Sequence, residues 1–375
     1  RRPGGHAAVG VCEEMSPMST TTIPPAAPVP LDTPEYQRSV RAGGDSTPVV
    51  LMAGLGAILL ALSLYVWGRW IFSHDFRPVP AGPDPIPNGS LYTLRALEVS
   101  GLLLSAWMVW HFLVTPWRRT GRLTPDGLRL LVLPLIWFWD PLFNYTQTWF
   151  TYNAHLLNLG SWTEFFPGWM SPHQDRFPEP LVVGLGYIFW VFGCMLAGCW
   201  ILGRIRSRWP NMSLARFLVV GALCCIALDT VLEFNGLLIG WFAYPGGWDG
   251  LTILDGTRWK FPLLSPILGG LETFAWVSLR YFRDARGYSL AERGVEYLRI
   301  SGGRRVAVRF LALYAGMVLT TAIFNVGSQW QGTHSGAWPT SMPSYLTTTC
   351  PELQTNPRAC GGPGLPIPRS DGPSR

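Results

Sequence analysis

The chain is 375 residues long, 48% hydrophobic and only 14% charged, with 19 Trp, 19 Phe and 33 Pro, whereas soluble domains carry about 25% charged residues. So little charge, at a mean hydropathy of +0.20, excludes an ordinary soluble globular chain and points to lipid as the solvent. The net charge of +6 comes almost wholly from arginine, Lys260 being the single lysine; the arginines sit beside apolar runs and not on one soluble face, so no nucleic-acid partner is implied.

The first residues, up to about Glu14, contain no short apolar run followed by a small-residue cleavage site, so they do not read as a signal peptide. Met15 or Met18 offers a start, with the residues before it read as an upstream extension. Ser19 to Ser46 is rich in Pro, Thr and Ala and is expected to be disordered. The expected organisation is a Pro/Thr-rich tail over 1–48, a transmembrane helical domain over 49–326 and an extramembrane tail over 327–375.

A spanning helix needs about 20 mostly apolar residues. Seven windows qualify in chain order: Val49–Phe72, Thr93–Val114, Leu128–Phe150, Leu181–Gly203, Leu214–Phe242, Trp259–Phe282 and Val306–Val326. The fold class expected is therefore all-α, a multi-pass bundle of about seven spans. The third window contains Pro134, Asp140 and Pro141, and the sixth contains Pro262 and Pro266, so either can be broken or re-entrant. Such breaks are tolerated in a membrane where neighbouring groups satisfy the freed backbone. No internal repeat is apparent, which argues against a transporter built from inverted halves.

Arginines in short loops stay on the cytoplasmic side. They follow the second window (Arg118, Arg119, Arg122), the fourth (Arg204, Arg206, Arg208) and the sixth (Arg280 to Arg305). This pattern predicts an integral cell-membrane protein with a cytoplasmic N-tail and an external C-tail. In that tail Cys350 and Cys360 can pair in an oxidising compartment or stay free. Cys194, Cys199, Cys224 and Cys225 lie in apolar helices, where cysteine behaves as a small hydrophobe, and no metal-ligand spacing emerges. The outer loops Thr151–Pro180 and Ala243–Arg258 are aromatic and proline-rich, for which anchoring at the membrane interface is the plain explanation.

Ionisable residues inside the windows carry the functional signal, because each costs roughly 2.5–3.5 kcal/mol at a span's centre on insertion scales. They are Glu98, His111, Asp140, Asp229, Glu233 and Glu272. Glu98 and His111 fall near segment ends, where they can reach headgroups or water, and Glu272 can pair with an arginine or a hydroxyl. Asp229 and Glu233 are four residues apart and share a helix face. Two acids so placed divide protonation between them, supplying a general acid and a general base together. Beyond Asp140 the run DPLFNYTQTWFTYN, through Asn153, is dense in hydrogen-bonding side chains; amides unsatisfied in hydrocarbon are costly, so this run should line a cavity.

That run resembles the AveC-type spirocyclases of macrolide biosynthesis in actinomycetes. So do Gly160-Ser161-Trp162, Pro167 to Pro172 (PGWMSP), Asp229 to Phe234 (DTVLEF), Ala243 to Gly246 (AYPG), Leu279 to Asp284 (LRYFRD), Glu292 to Val295 (ERGV) and Gly364 to Arg369 (GLPIPR). The resemblance spans about Val50 to Arg369. It implies closure of a spiroketal from a dihydroxy-ketone segment of a lipophilic polyketide macrolactone, with the avermectin-type members also associated with dehydration beside the new rings. On that reading Asp140, Asp229, Glu233 and Glu272 are the catalytic candidates. Asn144 and Tyr145 orient hydroxyls, with Asn153 beside them, and Trp149, Tyr152 and Trp169 wall the site. No cofactor is expected, the partners are the macrolide and the bilayer, and the sequence leaves the oligomeric state open. A transporter or export partner coupling proton movement through the same acids, or a non-catalytic scaffold, remains the rival reading.

Overall fold

A computed structural model describes residues 45–171, 176–284 and 286–347. The sequence-based expectations for the tail before residue 45, for Cys350 and Cys360, and for the motif at Gly364 to Arg369 lie outside these residues.

The described chain is mostly helical. Its helices are α1 (Thr47–Ile71), α2 (Asn88–Thr120), α3 (Pro125–Ile136), α4 (Leu181–Arg208), α5 (Leu214–Leu238), α6 (Leu264–Tyr281) and α7 (Gly302–Thr333). Five of them, α1, α2, α4, α5 and α7, are long and apolar enough to cross a membrane. The third and sixth sequence windows fold into shorter helices. Thr124 caps α3, accepting from the Gly127 amide at 3.0 Å with Pro125 in the first turn. Pro134 lies inside α3, and with Pro141 following, the chain tightens into a 3-10 segment, Trp137–Asn144, because proline offers no amide to the helical ladder. Residues 259–263 form a turn and a short strand, which shortens the sixth window to the 18 residues of α6.

Side chains from elsewhere take up the carbonyls that the proline break frees. Trp162 Nε1 donates to the Phe138 carbonyl (3.1 Å), Asn325 to Trp139 (3.2 Å), Gln329 to Leu142 (2.7 Å) and Trp149 Nε1 to Phe143 (2.8 Å). This is the condition under which non-helical backbone is stable away from water. It also holds Asp140 rigidly in the middle of the segment.

Successive connections fall at alternate ends of the bundle. At one end Asp126, at the start of α3, takes Arg280 of α6 at 2.8 and 3.1 Å and Arg129 at 3.4 Å, while Arg129 donates to the Leu279 carbonyl. At the other end the long loops knit into a cap. Strand β1 (Thr151–Tyr152) pairs antiparallel with β2 (Phe242–Ala243), β3 (Thr252–Ile253) pairs with β4 (Phe261–Pro262), and the Val79 amide donates to Asn158 Oδ1 at 2.8 Å. The lone lysine, Lys260, is buried in this cap against Asp255 at 2.9 Å.

Removing one partner of a buried ion pair strands the other charge. Asp126→Asn is therefore expected to destabilise the bundle by about 3–5 kcal/mol, seen as a lower melting temperature in detergent, because Arg129 is fully buried. An unchanged melt would show that the pair is not a structural clamp.

Small residues set the helix spacing. Gly56 of α1 lies directly against the Leu311 carbonyl of α7, and Gly198 of α4 against Val277 of α6. Small residues at such contacts let neighbouring helices approach closely and pack tightly.

Candidate active site

Helix α5 is largely exposed around its circumference, with one narrow face turned inward. Phe217, Gly221 and Cys225 are buried on that face, and every fourth residue continues it, so that the next two places are Asp229 and Glu233. Opposite them α6 presents Ser265, Gly269, Glu272, Thr273 and Trp276, a succession at helical spacing. The two acids of α5 thus occupy positions that would be packing positions in an ordinary span.

Asp140, Asp229, Glu233 and Glu272 line one cavity of about 180 Å3 beneath the cap. Tyr152, Tyr187, Tyr244, Trp190, Trp241, Trp276 and Thr321 lie on the same wall, and no Lys, Arg or His is found among the described residues that line it. Asp140 accepts from Tyr187 at Oδ1 and from Tyr152 at Oδ2, each at 2.7 Å. Glu233 accepts from Ser265 at Oε1 (2.8 Å). The Tyr244 hydroxyl lies 3.1 Å from Ser265 Oγ, a contact in which either oxygen can donate. The other oxygens, Asp229 Oδ2 and Glu233 Oε2, have no hydrogen-bond partner among the described residues.

Local structure explains how the tyrosines arrive. Tyr187 opens a π-helical turn, Tyr187–Val191, within α4. The extra residue in such a turn re-aims side chains, and here Tyr187, Trp190 and Val191 all reach the cavity. Tyr152 is drawn over it by the β1–β2 pairing, in register opposite Phe242.

Of the residues expected from sequence to contact substrate, Tyr152 lines the cavity and the others stand outside it. Asn144 is a loop clamp: its Oδ1 accepts from the Trp149 and Phe150 amides at 3.0 and 3.2 Å, and its Nδ2 donates to the Phe150 carbonyl at 2.8 Å. Trp149 stacks behind Tyr244 with ring centroids 5.5 Å apart. Tyr145 donates to the Gly168 carbonyl (2.7 Å) and packs edge-on against Trp169, whose Nε1 donates to the Ser171 carbonyl. Asn153 donates to the Gly240 carbonyl at 2.8 Å. Asn144→Ala is accordingly expected to lower the melting temperature, with a cost of about 1–3 kcal/mol for the amides left unpaired, and to leave the stereochemistry of any product unchanged. Folded protein giving a different product isomer would instead put Asn144 in contact with substrate.

Glu98 and His111 are also placed. Glu98 is buried, paired with Arg95 and accepting from the Leu157 amide at 2.6 Å, so it anchors the cap instead of reaching water. His111 stacks on Trp107 at the far end of α2, away from the cavity. Tyr187, Tyr244, Ser265, Trp190, Trp241 and Trp276 were not singled out from sequence. A phenol inside an otherwise apolar window is the one signal that marked Tyr187, and Tyr244 lay within the AYPG string.

A family model described as spirocyclase AveC-like matches residues 117–346, a range that holds all four cavity carboxylates and the whole cap from Tyr145 onward. No curated protein and no solved structure matches the chain.

Proposed function

The chain belongs to the spirocyclase AveC-like family, and from that premise we propose that its carboxylate cavity closes a spiroketal from a dihydroxy-ketone segment of a polyketide macrolactone. The observation that carries the proposal is the convergence of four carboxylates from three separate segments, α5, α6 and the 3-10 segment, on one cavity. Its volume suits the reacting rings; the remainder of a macrocycle extends beyond it.

In the first step a substrate hydroxyl attacks the ketone carbon, its proton passes to a carboxylate, and the carbonyl oxygen is protonated, giving a hemiketal. Protonation of the hemiketal hydroxyl then releases water and leaves an oxocarbenium ion. The second hydroxyl attacks that carbon and loses its proton, so one water is lost overall. Asp140, whose two oxygens both accept from hydroxyls, has the surroundings of a carboxylate, suited to taking protons and stabilising the cation. Glu233 has one oxygen satisfied by Ser265 and the other unpartnered, the arrangement of an acid whose proton is offered to the substrate. Asp229 and Glu272 complete the set and hold protons exchanged between steps. Because such closures also proceed in acid without an enzyme, fixing one folded conformation of the substrate is a large part of the work.

The same reading takes α3 with its 3-10 segment and α6 as the third and sixth traverses of a seven-pass cell-membrane protein. The arginine-rich end and the N-tail then face the cytoplasm, as positive-inside placement requires. A lipophilic macrolactone reaches the cavity from the bilayer, and avermectin-type compounds are the first class to try.

Purified protein in detergent, given a synthetic dihydroxy-ketone precursor, is expected to yield one spiro stereoisomer, read by chiral chromatography. Recovery of the acid-equilibrium mixture at the uncatalysed rate sinks the proposal. Uptake of unchanged compound into vesicles would point to transport instead. A new ring double bond in the product would reveal accompanying dehydration.

A further inference from the structure

The charge balance of the cavity is unusual. Four carboxyls line it, no Lys, Arg or His does so among the described residues, and the wall carries the rings of Trp190, Trp241 and Trp276. Two buried oxygens, Asp229 Oδ2 and Glu233 Oε2, are left without hydrogen-bond partners among those residues. Among the described residues no three His, Cys, Asp or Glu side chains converge closely enough to hold a metal ion. The acids are instead spread around a space of organic-molecule size.

We infer that this cavity is a binding site for a lipophilic organic cation, a compact ring ammonium that places its charge near Asp140 and Glu233 and its hydrocarbon against the tryptophans. Two physical effects favour such a ligand over a neutral one of the same shape. A positive charge over an aromatic face in a desolvated site is attracted by the ring quadrupole. Asp140, a buried carboxylate without a countercharge, gains from any cation that reaches it, far more than it would in water. Glu233, the acid of the proposed reaction, gives up its proton to solvent when the cation binds beside it. The ligand class follows from this balance together with the spiroketal reading, since the oxocarbenium ion proposed there is itself a compact, cationic pair of rings. A stable ammonium of that shape is the corresponding inhibitor.

The probe is an azaspiro-undecane, two six-membered rings sharing one carbon with a ring nitrogen protonated at neutral pH. It is compared with the neutral oxa isostere on the full-length protein in detergent, by tryptophan fluorescence and calorimetric titration. The ammonium is expected to bind about tenfold or more tightly than the neutral isostere. Asp140→Asn and Glu233→Gln should each remove that preference while the neutral isostere still binds, which shows that the variants are folded. Asp249→Asn, at an exposed acid in the cap, should leave the preference intact. Equal affinity for the two isosteres overturns the inference, as does a preference that survives both cavity substitutions. Spiroketal formation without ammonium selectivity removes this inference and leaves the proposed activity standing. Selective binding without turnover does the reverse, and accumulation of the amine in vesicles would make it a transported ligand of the same site.

Discussion

Asp140→Asn is expected to lower kcat for spiroketal formation by about 10²–10⁴-fold, the range that a positioned acid-base group contributes, with little change in folded yield. The amide matches the carboxylate in shape. Its oxygen can accept from one of Tyr152 and Tyr187, and the other hydroxyl can turn to accept from the new NH2 group. The packing around the 3-10 segment is thereby preserved, and what disappears is the negative charge and the ability to take a proton. Single-turnover conversion of the precursor, normalised to protein that elutes as a single species and melts normally, provides the measurement. If the variant retains full and stereoselective turnover, Asp140 has no part in the chemistry.

Two adjacent glycines of α6 are expected to give opposite outcomes when changed to alanine. A Cβ at Gly270 falls on the backbone Cα of Ile226 in α5, and backbone cannot step aside without parting the two helices. Overpacking costs typically 1–3 kcal/mol even where side chains can shift, so Gly270→Ala is expected to exceed that range and fail to accumulate as folded protein. A Cβ at Gly269 meets the Asp229 carboxylate, the end of a side chain that can rotate. Gly269→Ala should fold, with Asp229 displaced and turnover reduced by about tenfold or more, the penalty that a small misplacement of a reacting group carries. Expression level and melting temperature measure the first effect, and turnover per folded molecule the second. Normal yield of Gly270→Ala, or full activity of Gly269→Ala, would contradict the close α5–α6 contact that places Asp229 on the cavity wall.

The carboxylates were legible because acids are rare in apolar runs. Asp140, Asp229, Glu233 and Glu272 stood out against lipid-compatible neighbours, and for Asp229 and Glu233 the spacing of four already placed both on one face. The aromatic residues were not legible in the same way. In a chain with 19 Trp and 12 Tyr, a ring that walls a cavity and a ring that anchors a loop have the same local surroundings. Trp149 and Trp169 lay in polar, aromatic strings and fold into the cap, whereas Trp190 and Trp276 lay in unremarkable apolar helices and reach the cavity.

Hydropathy by itself determined a helical chain suited to lipid and the acids expected to matter, because both follow from the free energy of placing each residue in hydrocarbon. Which acids meet, and what holds them, was decided only in three dimensions. The proline-broken segment brings Asp140 inward because Asn325, Gln329, Trp149 and Trp162 satisfy its backbone. A π-turn aims Tyr187 at it, and the β1–β2 pairing adds Tyr152. Each of these depends on hydrogen bonds between groups far apart in the chain, and a local pattern of residues carries no record of them.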